Sequence, residues 1–350
     1  MKKYFFILAA AAALAACAKN EVTPVLSQEN TEIAYNVAPK TKALDTTHQE
    51  NFSTDNVFAS WAFYLPKDQT WAANSATSQP YIVNSKISHK NGIWKDQTKS
   101  YYWPKDGGSL TFLAYSLNKG DLNLAGEHSA FTCDNAGGVQ GHIELMDNKN
   151  TDFLVAEIAA DKTANENQYV FNGVPTLFKH KLSRVACTVK KAAEYADKKF
   201  ELKEINFLNV ATYGSYGQLP TEGFSASTVK HDQVYTNAVQ EITTTAAAVA
   251  AEDVVIYMPQ TFADATAKIQ VKYTVTTTVT TTVGTTVGTT VGTSTVVEDC
   301  VKEISINSKF DEWAMGKKYT FNITFALDEI TWDPAVEKWE EATAADVTIQ

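Results

Sequence analysis

Apolar and polar residues alternate with a period of two along most of the chain, the signature of strands that face two ways. In Val57–Leu65, residues Val57, Ala59, Trp61, Phe63 and Leu65 share one phase. Tyr101–Trp103, the turn residues Pro104-Lys-Asp-Gly-Gly108 and Leu110–Tyr115 read as strand, turn and strand. Asp152–Ala156 closes a first region, and the polar stretch 161–168 reads as a linker. Beyond it, Phe200–Val210, Asp253–Met258 and Ile269–Val275 continue the alternation. So does Tyr319–Leu327, with Tyr319, Phe321, Ile323, Phe325 and Leu327 inward. Within Leu177–Val189 the apolar phase runs through Phe178, His180 and Leu182, then shifts to Val185, Cys187 and Val189. An odd offset exchanges the faces of a strand, so a bulge or break is expected at Ser183–Arg184. Helix signals are limited to a turn or two in Ala246–Ala251 and in Ala192–Lys199. The pattern predicts an all-β chain built as two β-sandwiches, residues 43–165 and 166–350.

Two segments stand apart from this pattern. Thr31–Val37 alternates cleanly, with Ile33, Tyr35 and Val37 on one face and Glu32, Ala34 and Asn36 on the other. It is a short strand set well ahead of the others. The connector that follows lacks apolar periodicity and carries Lys40 and Lys42, which suits an enzyme that cuts after basic residues. In Thr274–Val297, Val279, Val283, Val287 and Val291 recur every four residues, and Gly284, Gly288 and Gly292 follow the last three. β-Branching and glycine disfavour a helix there. The expectation for 276–296 is an elongated hairpin tip or a mobile loop.

The first residues change the picture more than bulk composition does. Lys2-Lys3, an apolar run from Tyr4 to Ala13 and Leu14-Ala-Ala-Cys17 form a lipoprotein signal, so residues 1–16 are expected to be removed. The run is too short for a membrane span of ~20 residues. Cys17 is then the lipid attachment site, and residues 17–42 form a lipidated segment that carries the early strand. Ala18 follows, with no Asp there to suggest retention at the inner membrane, so an outer-membrane or cell-surface location is expected.

The 350 residues are 44% hydrophobic, enough for ordinary cores. Net charge is −10, and loss of Lys2 and Lys3 takes it to −12. That balance argues against a nucleic-acid partner, whose phosphates need a basic surface. Cys133, Cys187 and Cys300 are odd in number and far apart, which speaks against a disulfide scaffold and a zinc site.

Candidate chemistry is sparse. The six histidines are scattered, no His-Glu-x-x-His or Gly-x-Ser-x-Gly occurs, and Gly137-Gly-Val-Gln-Gly141 lacks the Lys-Ser/Thr of a phosphate loop. His180 on an apolar strand face reads as a structural histidine. The seven tryptophans could stack on sugars, but Trp61, Trp103, Trp313 and Trp332 fall in or near strand cores, where packing is the simpler role. No enzyme and no cofactor are expected.

Several of these stretches together resemble the fimbrillin family of Gram-negative anaerobes, the lipoprotein-derived pilus subunits. The resemblance rests on the box at Cys17 and the junction Thr41-Lys42-Ala43. It extends through Tyr101-Tyr-Trp-Pro104 with Leu110–Tyr115, Asp152–Ala156, Phe178–Val185, Tyr319–Phe325 and Ile330-Thr-Trp332. It implies two transthyretin-like sandwiches and export as a lipoprotein. It also implies removal of the first strand (Ile33, Tyr35, Val37) by an extracellular Arg/Lys-specific protease, and polymerisation with other fimbrillin subunits by strand donation. The family's commonest cleavage residue is Arg, whereas Lys42 precedes Ala43 here.

The donor strand suggested by pattern is the tail 344–350, where Ala345, Val347 and Ile349 alternate with Asp346, Thr348 and Gln350 after Pro334 interrupts the preceding strand. Two other readings of the chain are a lipid-anchored or tip accessory subunit and a non-polymerising surface lipoprotein that binds glycan. A host or bacterial surface ligand would be the partner in an adhesive role.

Overall fold

The computed structural model describes residues 31–37, 52–124, 130–146, 151–164, 173–195, 198–249, 255–285, 288–326 and 330–338. They form an all-β molecule with one four-residue α-helix, Trp71–Asn74. The strands of the first half are β1 (Tyr35–Asn36), β2 (Val57–Leu65), β3 (Gln79–Lys90), β4 (Ile93–Asp96), β5 (Ser109–Ser116), β6 (Ala130–Asp134) and β7 (Gly138–Glu144). Then come β8 (Leu154–Ala156), β9 (Ala159–Lys162), β10 (Val174–Pro175) and β11 (Phe178–His180). The second half holds β12 (Ser183–Lys191), β13 (Lys199–Ala211), β14 (Tyr213–Gly217), β15 (Gly223–Ala226), β16 (Lys230–Thr236), β17 (Gln240–Ile242), β18 (Ala247–Ala248) and β19 (Val255–Tyr257). It ends with β20 (Gln260–Thr261), β21 (Lys268–Thr285), β22 (Gly288–Ser305), β23 (Glu312–Trp313), β24 (Lys317–Phe325) and β25 (Ile330–Lys338).

Three cores organise these strands. A nine-stranded sheet runs in the order β10-β1-β4-β3-β2-β5-β8-β11, with β9 also on β5. Its two ends, β10 and β11, are separated by only two residues of chain, so Gly173–His180 joins one edge to the other. Thr176 N–H donates to Asn36 on one side, and Glu157 N–H donates to Leu177 on the other. The sheet thus closes around a core that contains Tyr35, Phe58, Phe112, Trp94, Trp103 and Phe178.

The outer face of β2, β5 and β8 packs on a second core, against the sheet β15-β14-β7-β6. With a core on each side, β2 and β5 are buried almost throughout, and for this reason they read as near-continuous apolar runs. The third core lies between two five-stranded sheets, one built on β12 and β24 and one on β13 and β21. Because β14 pairs with β7, strands from beyond residue 166 complete the second core of the first half.

The phase shift after Leu182 marks a change of sheet. Phe178 faces the first core, Leu182 the second and Val185 the third, while the chain leaves β11 and enters β12 at Ser183. A strand that must serve a new core has to exchange faces, so the interruption takes the form of a break, at 181–182, just ahead of the expected Ser183–Arg184.

Other expectations are corrected. Ala247–Ala248 is a strand paired with Val189 and Thr188, because a sheet edge there offers hydrogen bonds that override alanine's helix propensity. Asp161 and Lys162, expected in a linker, belong to β9 on β5. Of Tyr101–Trp103 only Tyr102 forms a bridge, to Glu32. Pro334 does not interrupt its strand: β25 runs through it opposite Phe321, and β25 is the outer strand of its sheet, the kind of position in which strands tolerate proline.

Candidate functional site: the slot of the first strand

The segment Thr31–Val37 is held on both edges. On one side Ile33 N–H donates to Tyr101 O (2.8 Å), Trp103 N–H donates to Thr31 O (3.0 Å), and Tyr35 pairs with Trp94 antiparallel. On the other, Val174 N–H donates to Ala34 O (2.8 Å) and Thr176 N–H to Asn36 O (2.9 Å), in a parallel pairing. Its alternation supplies the third constraint. Ile33, Tyr35 and Val37 are only 3, 4 and 9% exposed, and all three enter the first core. Burial of each large side chain is worth roughly 1.5–3 kcal/mol.

Tyr35 is the centre of the slot. Its ring meets Phe58 and Phe112 edge-on, at centroid distances of 5.3 and 5.7 Å. Its hydroxyl donates to Ser60 Oγ (3.0 Å), and Ser60 Oγ in turn lies 3.4 Å from Leu113 O. Burial pushes the Tyr35 phenol above its ordinary range, so it stays neutral and remains a donor.

At the outer face, Lys95 Nζ donates to Glu32 Oε2 (2.7 Å). That bond, with a second from Ser100, holds the Glu32 carboxyl below the usual carboxylate range. Gly173 permits the close approach of the parallel edge. Its φ is +134°, and a Cβ there would stand 2.5 Å from Ala34 O.

The alternation of Ile33, Tyr35 and Val37 was legible in sequence, and the fold buries all three together. Ser60, Trp94, Gly173 and Thr176 were not recognised as slot residues. The Asn172-Gly173 dipeptide, a turn signal, was the available hint for one of them. Cys17, Lys42, Ala43, Ala345, Val347 and Ile349 lie outside the described residues.

His180 is structural in its surroundings: Nδ1 stands 2.6 Å from Asp152 Oδ2, and both side chains are buried. Trp61, Trp71, Trp94, Trp103 and Trp313 are all buried. Cys133 and Cys187 are free thiols, and burial pushes the Cys133 thiol up to about 12. Among the described residues no group of three or more His, Cys, Asp or Glu is placed to hold a metal.

Among the described residues a cleft of about 560 Å³ lies between Phe224–Lys230, Pro259–Thr261 and Glu312–Met315. Trp313 and Pro259 are among the residues that line it. The Gln260 amide is already engaged with the backbone of Ala211 and Met258.

Residues 41–339 match the family described as Fimbrillin-like. No curated protein sequence matches the chain. Among solved structures, a fimbrial protein from Bacteroides vulgatus superposes with a TM-score of 0.64 at 18% identity, covering 89% of this chain and 100% of its own. A candidate cell adhesion protein from Bacteroides uniformis gives 0.50 at 17% identity, covering 88% of this chain and 99% of its own. At these identities the likeness is one of fold.

Proposed function

Since the chain belongs to the fimbrillin-like family, we propose that it is a structural subunit of a surface fimbria whose first strand is a removable occupant of a strand-shaped slot. In this reading the chain is exported as a lipoprotein through Cys17 and anchored in the outer membrane. A protease specific for basic residues then cuts after Lys42. Loss of the residues before Ala43 takes Ile33, Tyr35 and Val37 with it, and the slot is refilled by a strand from another subunit. The observation that carries the reading is the double-edged seating of Thr31–Val37. A strand bonded at both edges and buried on one face leaves, when removed, a groove lined by aromatic rings between two rows of unpaired backbone groups.

Each ladder bond regained is worth about 0.5–1.5 kcal/mol, and each buried side chain more. The tail segment with Ala345, Val347 and Ile349 has the alternation in sequence to enter the slot, and it follows the edge strand β25 in the chain. The chain has no catalytic role in this scheme and supports adhesion as part of the fimbria.

The mature N-terminus tests the proposal. Peptide sequencing of assembled material that begins at Ala43 supports it, and material that begins at lipidated Cys17 rejects it. The second outcome would favour a lipid-anchored accessory subunit, a reading to which Lys42 in place of the family's usual Arg already points. Truncation after Thr343 isolates the donor: a folded, cleavable monomer that fails to elongate is expected, and long filaments would exclude the tail.

A further inference from the structure

The longest hairpin of the molecule has no part in the slot. From Lys268 to Thr276, β21 is bonded to β13 on one side and β22 on the other. Past Thr276 the contact with β13 stops. Nine further pairs, from Thr277↔Val296 to Thr285↔Gly288, continue as a two-stranded ladder. At ~3.3 Å per residue this arm reaches about 30 Å beyond its sheet. β22 is also the last strand of that sheet, so its outer edge is unpaired along its length among the described residues.

Such an edge is a template for another strand, and proteins commonly block it with Lys, Pro or a bulge. None of these is present in the arm. No proline occurs in β21 or β22, and their ladder runs without a register shift. Val291, Val296, Val297 and Val301 are each more than half exposed.

We infer that the arm is a self-association surface, on which β22 of one copy pairs antiparallel with β22 of a second copy about a two-fold axis. The two five-stranded sheets then become one continuous sheet. Three observations select a second copy as the occupant.

The first is charge. The chain carries −10 overall, so two copies repel over most of their surface. The segment between Lys272 and Glu298 is the longest stretch of the sequence without Asp, Glu, Lys or Arg, and there they do not. The second is the make-up of the edge strand. From Gly288 to Val297 it is built of Thr, Val, Gly and Ser alone, so an antiparallel pairing centred on residues 291–293 sets small uncharged residues opposite one another along the arm. The third is the base of the arm. In an antiparallel register centred on residues 291–293, Glu298, Asp299, Lys302 and Glu303 of each copy fall at or beyond Gly288, where the other copy's β22 begins. No like charges meet.

Sedimentation velocity of the full chain in non-ionic detergent, over a series of concentrations, tests this. A monomer–dimer equilibrium is expected. The double change Val291→Lys and Thr293→Lys should weaken it at least about tenfold, because like charges face each other across the new strand pair. A second variant, with Thr277–Val296 replaced by Asn-Gly, should be monomeric while its thermal unfolding midpoint stays that of the parent. A parent that is monomeric at every concentration overturns the inference, even if the arm captures some other protein. So does a dimer unchanged by both variants, which would place association elsewhere, at the slot for instance. Loss of the dimer in both variants, with cleavage after Lys42 unaffected, supports it independently of the strand-exchange reading.

Discussion

The first strand and the arm are opposite solutions for an extended segment at the margin of a sheet. Thr31–Val37 is seven residues long, yet it is bonded at both edges and sends three side chains into a core. The arm runs for nine pairs, but each strand there has a single partner and the exposed valines face water. Length adds ladder bonds, whose net worth is small because water competes for them. Burial adds transfer free energy, which is not refunded in solvent. The short segment is therefore structural and the long one is peripheral, the reverse of what their lengths suggest.

The sharpest break of that comparison is Tyr35→Ala. It removes a ring that meets Phe58 and Phe112 and leaves Ser60 without its donor. A loss of about 3–5 kcal/mol is expected, as for other large aromatic truncations in cores, and denaturant unfolding measures it. Gly173→Ala comes next, at roughly 1–3 kcal/mol for a strained backbone and a forced contact with Ala34 O. It should also quicken tryptic cleavage in residues 38–51, because it loosens the parallel edge alone; an unchanged cleavage rate would separate the edge from the seating of the strand.

Glu32→Gln should cost below about 1 kcal/mol, since both partners are about one-third exposed and salt screens them. Its signature is in pH. The Glu32 carboxyl is held low by Lys95, so its contribution is present above the ordinary carboxylate range and lost as pH falls through the lowered value. The glutamine variant should flatten that part of the stability profile, which titrated unfolding curves would record. Smallest of all, replacing Thr277–Val296 by Asn-Gly should leave the unfolding midpoint almost unchanged, because β21 and β22 still close on Thr276↔Val297. A loss as large as that of Tyr35→Ala would mean the arm is core after all.

How far the sequence revealed this molecule depended on whether alternation survived. Val57–Leu65 was legible to the residue, and so was the buried face of Thr31–Val37. β3 was not. Its buried positions change phase from Ile82 to Ser85 and Ile87, because Asn84 sits at φ +48° and the register with β2 shifts beside it. A bulge erases a period-two pattern without ending the strand. The hairpin of β6 and β7 was hidden by its composition: Gly138 and Gly141, set aside as a failed phosphate loop, are residues of a strand in which five of seven residues are glycine or polar. In the arm, where an elongated hairpin tip was one of two expectations, the structure has the hairpin, and the reason lies in the period of four. It is twice the strand period, and the repeat extends a ladder without changing its faces. The slot was half legible, since alternation names the occupant but not the walls. Ser60, Trp94 and Val174 are brought to it by pairings across some 25 to 140 residues of sequence.

The parallel pairing of β1 with β10, beside its antiparallel pairing with β4, has a mechanical consequence. A strand gripped along both edges and pulled along its own axis loads its hydrogen bonds together, in shear, whereas a strand peeled from one end breaks them one at a time. Any segment seated in this slot is thus anchored most firmly against tension along its length. The closing piece that grips it, Gly173–His180, leads through Lys181 and Leu182 into β12, inside the sheet β18-β12-β24-β25. Load entering at the slot is handed through that short connection to the largest core of the molecule, so a row of such units would bear tension in series.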